Sequence, residues 1–528
     1  MRASRSILAT LLLAAALPGA AAGQTYEYVV RRGADTLATE LVARALGGVS
    51  GQLTLRQGPT IGYSVALSPD ESVNRLELRI TPPGATQVQR VLMAFMPETV
   101  YVQTPVPDSA RMDVQRFPGR PGMVAFLNLS VGSLEQIVRR ARVLGGERAE
   151  VPLFIVGPGS TLTAEVAGAP GEEVVVTVAG VAARLLIDEE GRMLGGVVDG
   201  QGVVWERTDP PGRLPAGAAA TERPDYSAPP GAPYTAEEVT VRTPAGHVLT
   251  GTLTLPRDAR GRVPAVVLVS GSGSQDRDAA TPAIPGYRFF RQVADTLGRS
   301  GIAVLRLDDR GVGGSGGVTD SLTTAHLADD TRAALAYLRT RREVDPRRLA
   351  VAGHSEGALI APMAAEGDPS VRAVVLMAGQ AWTGRRINAF QNREVLERTG
   401  STPAQVDSFM ATLPAKQDSL GAAIPWFRFF LDYDPLPAAR RLRVPVLVLH
   451  GATDLQVPSA HARELEAAIR AGGNREVLSI VFPGLNHLFL HDPTGTPDPA
   501  AYAALPSKEV PREVLGALAN WLAGRLLR

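Results

Sequence analysis

The stretch that most constrains this chain is Leu349-Ala350-Val351-Ala352-Gly353-His354-Ser355-Glu356-Gly357-Ala358-Leu359. Its first four residues are small or apolar and read as a short buried strand. Beyond the glycines, Ala358, Leu359, Ala361 and Met363 recur at helical spacing. Only a sharp turn can join that strand to that helix, and so tight a turn needs glycine or a very small residue at Gly353 and Gly357. The turn lifts the Ser355 hydroxyl clear of the sheet. It also aims the unpaired N–H groups at the start of the helix toward the same point. A chain with 54 glycines produces Gly-x-Ser-x-Gly by chance, so the flanking strand and helix give the pentapeptide its meaning.

The sequence around it alternates in the same way. Glu238–Thr243 and Val248–Leu255 read as a hairpin about Pro244-Ala245-Gly246. Strands then read at Pro264–Ser270, Ala303–Leu307, Leu349–Gly353, Ala373–Ala378, Val446–His450 and Leu478–Phe482. Helices read at Tyr287–Arg299, Thr324–Arg341, Ala358–Glu366, Ser459–Ala471 and Lys508–Leu527. Alternating strands and helices, with strands that are unbroken runs of Val, Leu, Ile and Ala, predict a mostly parallel, doubly wound sheet covered on both faces.

A serine at such a turn is a poor nucleophile at its own pKa. It needs an imidazole to take its proton, a carboxylate to orient that imidazole, and two backbone N–H groups for the oxyanion. In a sheet of this kind these groups stand on loops at the carboxyl ends of strands, in the chain order Ser, acid, His. Asp454 follows the strand Val446–His450, and His487 follows Leu478–Phe482, which fits that order. The competing groups fit less well. His354 adjoins the serine and should point elsewhere, His450 ends a strand, His461 is within a helix, and His491 lies beyond Leu488-Phe489-Leu490. Asp432 and Asp434 precede their strand. The expected oxyanion donors are the N–H of Glu356 and the N–H of Ser272, in the glycine loop Ser270-Gly271-Ser272-Gly273-Ser274. The other glycine-rich turn, which begins at Leu307, fits Gly-x-Gly-x-x-Gly through Gly311, Gly313 and Gly316 but has no Walker lysine and no suitably placed acid. It reads as structural, with Asp309 and Arg310 holding it together.

Residues 380–441 lack a strand pattern and read as a cap insertion. Trp382, Phe390, Trp426, Phe427, Phe429, Phe430 and Tyr433 could roof an apolar pocket, or belong to a helical hairpin packed on the domain.

The N-terminal part is different. Arg2 and Arg5, the apolar run Ile7–Leu17 and Ala20-Ala21-Ala22 form a signal-peptide pattern over residues 1–23. A protein exported to the periplasm or beyond is therefore expected, with no stable membrane insertion after cleavage. Residues 24–207 read as a separate antiparallel β-rich domain, a curved sheet or partial barrel of short alternating strands with one helix at Ser133–Leu144. Residues 208–233 read as an extended Pro/Gly linker before the domain at 234–528. All seven histidines lie at or beyond His247, so histidine-dependent chemistry cannot be housed in the β-rich domain alone. A net charge of +1 argues against nucleic acid as partner, and with no cysteine there is neither a disulfide framework nor thiolate chemistry.

Taken together, Val269–Asp278, Asp308-Asp309-Arg310-Gly311, Gly353–Gly357, Leu431–Pro435 and Leu485-Asn486-His487-Leu488-Phe489 resemble an α/β-hydrolase. The resemblance is to a branch of secreted bacterial serine esterases near the dienelactone-hydrolase and prolyl-oligopeptidase-like groups. It covers Glu237–Arg528 only, and Ser274 departs from the proline this branch favours. It implies hydrolysis of small carboxylic esters through an acyl-enzyme, with Ser355, Asp454 and His487 as triad and no metal or organic cofactor. A serine peptidase acting on short peptides is the nearest alternative, and a catalytically inert binding protein a more distant one. Acyl and alcohol specificity and oligomeric state are not legible.

Overall fold

The computed structural model describes residues 25–527 apart from short internal stretches, the longest being 106–111 and 216–223. The expected signal-peptide segment, residues 1–23, and Ser274 lie outside the described residues. The chain divides between Ala220 and Thr221 into two units.

The first unit contains β1 (Thr25–Arg32), β2 (Asp35–Ala45), β3 (Gly48–Leu55), β4 (Thr60–Leu67), β5 (Val73–Thr81), β6 (Gln89–Phe95), β7 (Thr99–Pro105), β8 (Met112–Pro118) and β9 (Val124–Phe126). These are followed by α1 (Val131–Leu144), β10 (Arg148–Ile155), β11 (Ser160–Ala167), β12 (Glu173–Val178), β13 (Val181–Ile187), β14 (Met193–Val198) and β15 (Val203–Asp209). They form one 15-stranded sheet in which nearly every strand pairs with its neighbour in sequence, and β1 pairs with β15. The period-two pattern explains the pairing: Val73, Leu76 and Leu78 of β5 are buried while Asn74, Arg75 and Arg79 face out. Helix α1 lays Leu134, Ile137, Val138 and Ala141 into the same core as Tyr28, Leu53, Val100 and Leu153. A carboxylate from the sheet caps it: Glu40 of β2 accepts from the Val131 N–H at 2.5 Å and the Ser130 hydroxyl at 2.7 Å, and Tyr63 donates to it at 2.7 Å.

Three strands of this sheet are not evident in the sequence. In β2, Leu37-Ala38-Thr39-Glu40-Leu41-Val42-Ala43-Arg44 has helix-forming composition, and pairing on both sides with β1 and β3 overrides it. The second, β8, is polar and mostly exposed. The third, β15, runs to Asp209, so the first residues of the expected linker belong to the sheet. Just beyond, the Arg213 N–H donates to the Leu194 carbonyl, so this part of the linker folds back on β14 instead of extending.

The second unit contains β16 (Tyr234–Arg242), β17 (Val248–Pro256), β18 (Val263–Val269), α2 (Phe289–Arg299), β19 (Ala303–Leu307), α3 (Thr324–Thr340), β20 (Val344–His354), α4 (Gly357–Ala365) and β21 (Val371–Met377). Four insertion helices follow, α5 (Gly384–Arg398), α6 (Pro403–Ala423), α7 (Pro425–Asp432) and α8 (Leu436–Arg441). The chain then continues through β22 (Val446–Gly451), α9 (Ala460–Ala471), β23 (Val477–Phe482), α10 (Pro499–Ala504) and α11 (Arg512–Leu526). The sheet order is β16-β17-β19-β18-β20-β21-β22-β23, parallel from β19 onward. Alternation along the strands separates two cores. Val266, Val304, Ala352 and Leu447 pack with Phe290 and Leu297 of α2 and Leu518 of α11. Val267, Leu305, Val351 and Val448 pack with Leu335 of α3, Ile360 of α4 and Ile469 of α9. The two faces are therefore both buried, and the loops at the carboxyl ends of the strands are free to carry chemistry.

Candidate active site

Ser355 stands where β20 turns into α4, with φ of +56°, a left-handed backbone that a non-glycine residue adopts only under strain. Packing imposes the turn. A Cβ at Gly353 would lie 1.9 Å from the Gly357 carbonyl oxygen, and one at Gly357 would lie 2.2 Å from that of Val269. The Ser355 N–H is fixed on the Met377 carbonyl of the adjacent strand at 2.9 Å.

The loops after β22 and β23 bring the other two expected groups to this hydroxyl. His487 Nε2 lies 3.0 Å from Ser355 Oγ, and His487 Nδ1 lies 2.8 Å from Asp454 Oδ2. Gly451 lets the loops meet, since a Cβ there would be 2.2 Å from the Leu485 carbonyl oxygen. Asp454 is 2 % exposed. Its Oδ1 accepts from the N–H groups of Gln456 at 2.9 Å and Val457 at 2.8 Å. Burial alone would raise its pKa, but the neighbouring His487, together with hydrogen bonding from His450 and His487, holds it well below the usual carboxylate range. Asp454 is thus an ionised acceptor, and the imidazole keeps its proton on Nδ1 with Nε2 facing the serine.

Among the described residues, none of the competing groups is bonded to the Ser355 hydroxyl, although His450 touches Asp454. His354 points away from the hydroxyl, with Nε2 2.9 Å from the His487 carbonyl; burial, with His487 close by, lowers its pKa to about 3. His450 Nε2 lies 2.7 Å from the Val457 carbonyl and 3.2 Å from Asp454 Oδ2. His461 Nδ1 accepts from the Ala381 N–H at 2.7 Å. Asp432 pairs with Arg385, and Asp434 accepts from the Leu436 N–H.

The glycine loop after β18 runs against the serine, and an added Cβ on Gly271 would lie 3.1 Å from Ser355 Cβ. Ser272 follows it, exposed, its carbonyl accepting from Gln275 Nε2 at 3.1 Å. Buried charges anchor this loop. Asp309 accepts from the Ser270 hydroxyl at 2.8 Å and the Gln275 N–H at 2.9 Å; Arg277 pairs with Asp308 at 2.8 Å; Asp278 pairs with Arg306 and Arg288. Burial pushes the Asp309 pKa up to about 7, against the hydrogen bonds from Gln275 and Ser270 that lower it. Asp309 therefore ties down the neighbouring loop. The expectation that it and Arg310 jointly hold their own turn is corrected, because Arg310 instead forks onto Asp330 at 2.6 and 2.9 Å.

Glu356, directly after the serine, is 3 % exposed. Its Oε1 accepts from the Thr324 hydroxyl at 2.7 Å and from Trp426 Nε1 of α7 at 2.8 Å, so the insertion reaches the turn itself. Asn486 braces the histidine loop by accepting from the Leu488 and Leu490 N–H groups. Reading the sequence missed these supports. The acid of Asp308-Asp309 and the Asn before His487 stood beside recognised motifs, but their partners are distant in sequence. Among the described residues no group of His, Asp and Glu side chains could hold a metal ion.

Among solved structures the chain resembles the Pyrococcus furiosus esterase Pf2001, at 17 % identity and a TM-score of 0.40 over 58 % of this chain and 97 % of that one. A thiohydrolase of Arthrinium phaeospermum, apmlB, is 35 % identical over 140 residues, spanning 26 % of this chain and 41 % of that protein. The esterase EstD of Thermotoga maritima is 29 % identical over 317 residues, 57 % of this chain and 70 % of that protein. Residues 266–505, which include Ser355, Asp454 and His487, match the model of the Alpha/beta hydrolase family. On its sheet order, its strained serine turn and this match, the second unit belongs to the alpha/beta hydrolase superfamily and is esterase-like.

Proposed function

We propose that this chain is an exported serine carboxylesterase that works through an acyl-enzyme. The observation that carries the proposal is the hydrogen-bonded line Asp454–His487–Ser355, ending on a hydroxyl in a strained turn. Ser355 Oγ attacks the ester carbonyl carbon while His487 Nε2 takes its proton. The carbonyl oxygen becomes an oxyanion received by the N–H groups of Glu356 and Ser272. As the intermediate collapses, His487 gives the proton to the departing alkoxide, leaving an ester on Ser355. Water, deprotonated by the same nitrogen, then releases the acid. Asp454 stays ionised throughout and stabilises the imidazolium. Likeness to a thiohydrolase supports thioesters as further acyl donors. Export rests on the positive, apolar and small-residue segments of residues 1–23.

The test expresses the full sequence and compares wild type with Ser355→Ala on matched p-nitrophenyl esters, thioesters and peptide p-nitroanilides. Ester turnover that falls by about 10⁴-fold or more in the variant, with little anilide cleavage in either, supports the proposal. Dominant anilide cleavage makes the protein a peptidase, and ester turnover that survives the substitution removes the triad. A mature protein recovered outside the cytoplasm, with its N-terminus near Gly23 or Gln24, supports export; an intact leader in the cytoplasm contradicts it.

A further inference from the structure

The second unit has a cleft of about 420 Å³ lined by none of Ser355, Asp454 and His487; it meets the loop after β18 through Arg306, the partner of Asp278. It opens among residues 226–229, β16, β17, α2 and the start of α11, and its wall includes Tyr234, Arg291, Arg299, Arg306 and Arg512. Its volume is that of a small-molecule site. The arginines differ in how their charge is met. Arg299 is matched by Asp295, 2.9 Å away, whose carboxylate also accepts from Tyr234. Arg306 pairs with Asp278 through one end of its guanidinium; it is 3 % exposed, and its buried Nε has no acceptor among the described residues. Among the described residues Arg291 donates to the carbonyl oxygens of Asp225 at 2.5 Å and Ser227 at 3.1 Å, and its charge is met only at longer range by the Asp225 and Asp295 carboxylates. Arg512 is exposed and has no partner among the described residues. Glu509 and Asp295 are the carboxylates of the wall, and Asp295 is already engaged.

A buried guanidinium nitrogen without an acceptor costs free energy unless something accepts from it, and guanidinium forks match planar or tetrahedral oxyanions. We infer that this cleft is a binding site for a small oxyanion, a phosphate or carboxylate group, received by Arg291, Arg306 and Arg512. Arg306 lines the buried end of the site, and Arg512 stands exposed on its wall. Tyr234 and Leu515 offer the bound molecule an apolar flank.

Equilibrium dialysis of the full chain against radiolabelled inorganic phosphate and, separately, acetate tests the inference, with ionic strength fixed by sodium chloride. One saturable site per chain is expected for at least one probe. Arg512→Ala should weaken it about tenfold, the loss of one charge-assisted contact, with ester turnover and Tm unchanged. Adding Arg291→Ala should abolish it. Binding of phosphate alone identifies a phosphate site, and binding of acetate alone a carboxylate site. Absence of saturable binding of either probe, or binding unchanged in Arg512→Ala, overturns the inference. Arg512 has no bond to lose among the described residues, so that variant decides the matter without risk to folding.

Discussion

At the scale of the residue, the site depends on backbone atoms that approach too closely for any side chain. Gly353 shows this most sharply, because its missing Cβ would fall on the Gly357 carbonyl, and that carbonyl belongs to the turn holding Ser355. Gly353→Ala must push α4 away from β20 or reshape the turn. Either moves the hydroxyl from His487 by a distance that matters for catalysis. The expected outcome is a loss of kcat by about 10²-fold or more, with a Tm lowered by several degrees. Parallel ester assays and thermal melts check this; a fully active, equally stable variant would show that the turn tolerates a Cβ.

Polar anchors decide the behaviour of two elements. The loop after β18 is held by Arg277, which bridges from that loop to Asp308, Thr252 and Glu238, and it carries the Ser272 N–H assigned to the oxyanion. Arg277→Ala leaves Asp308 buried without its cation and loosens the loop. We expect kcat to fall by about 10²-fold, as for a lost oxyanion donor, while KM changes little. A change confined to KM would place Arg277 in substrate binding instead. In the first unit the anchor of α1 is Glu40, whose pKa burial pushes up to about 7 against the hydrogen bonds it receives. The folded unit thus binds a proton that the unfolded chain, with a carboxyl near 4.5, has released. Its stabilisation is complete below about pH 4.5, declines as the pH rises toward 7, and is lost above that. Pulse proteolysis of the first unit in urea should show its midpoint falling from pH 5 to pH 8, with a flatter dependence in Glu40→Gln. A midpoint independent of pH in wild type would rule out the buried proton.

Across the whole molecule, what can be read from sequence follows the range of the interactions involved. The parallel sheet was legible because strands buried on both faces must be apolar throughout, as Val263–Val269 and Val446–Leu449 are. Ser355, Asp454 and His487 were legible because each follows a strand whose end fixes its place, and the structure brings all three within hydrogen-bond distance. The antiparallel β2 was not, since its composition is helical and its conformation comes from two partner strands. Nor were the bonds from Trp426 to Glu356 or from Ser270 to Asp309, which join segments tens of residues apart and leave no local pattern. The insertion was recognisable as a break in strand pattern. Its four helices and the contact of α7 with the serine turn appear only in three dimensions.

Trapping with an active-site reagent reads out whether Ser355 is the nucleophile. Wild-type protein treated with a fluorophosphonate and digested should yield the peptide containing Ser355 carrying one phosphonyl group. His487→Ala should slow the labelling by at least about 10³-fold, because the serine loses its base. Labelling of another residue, or labelling at an unchanged rate without His487, would contradict the account.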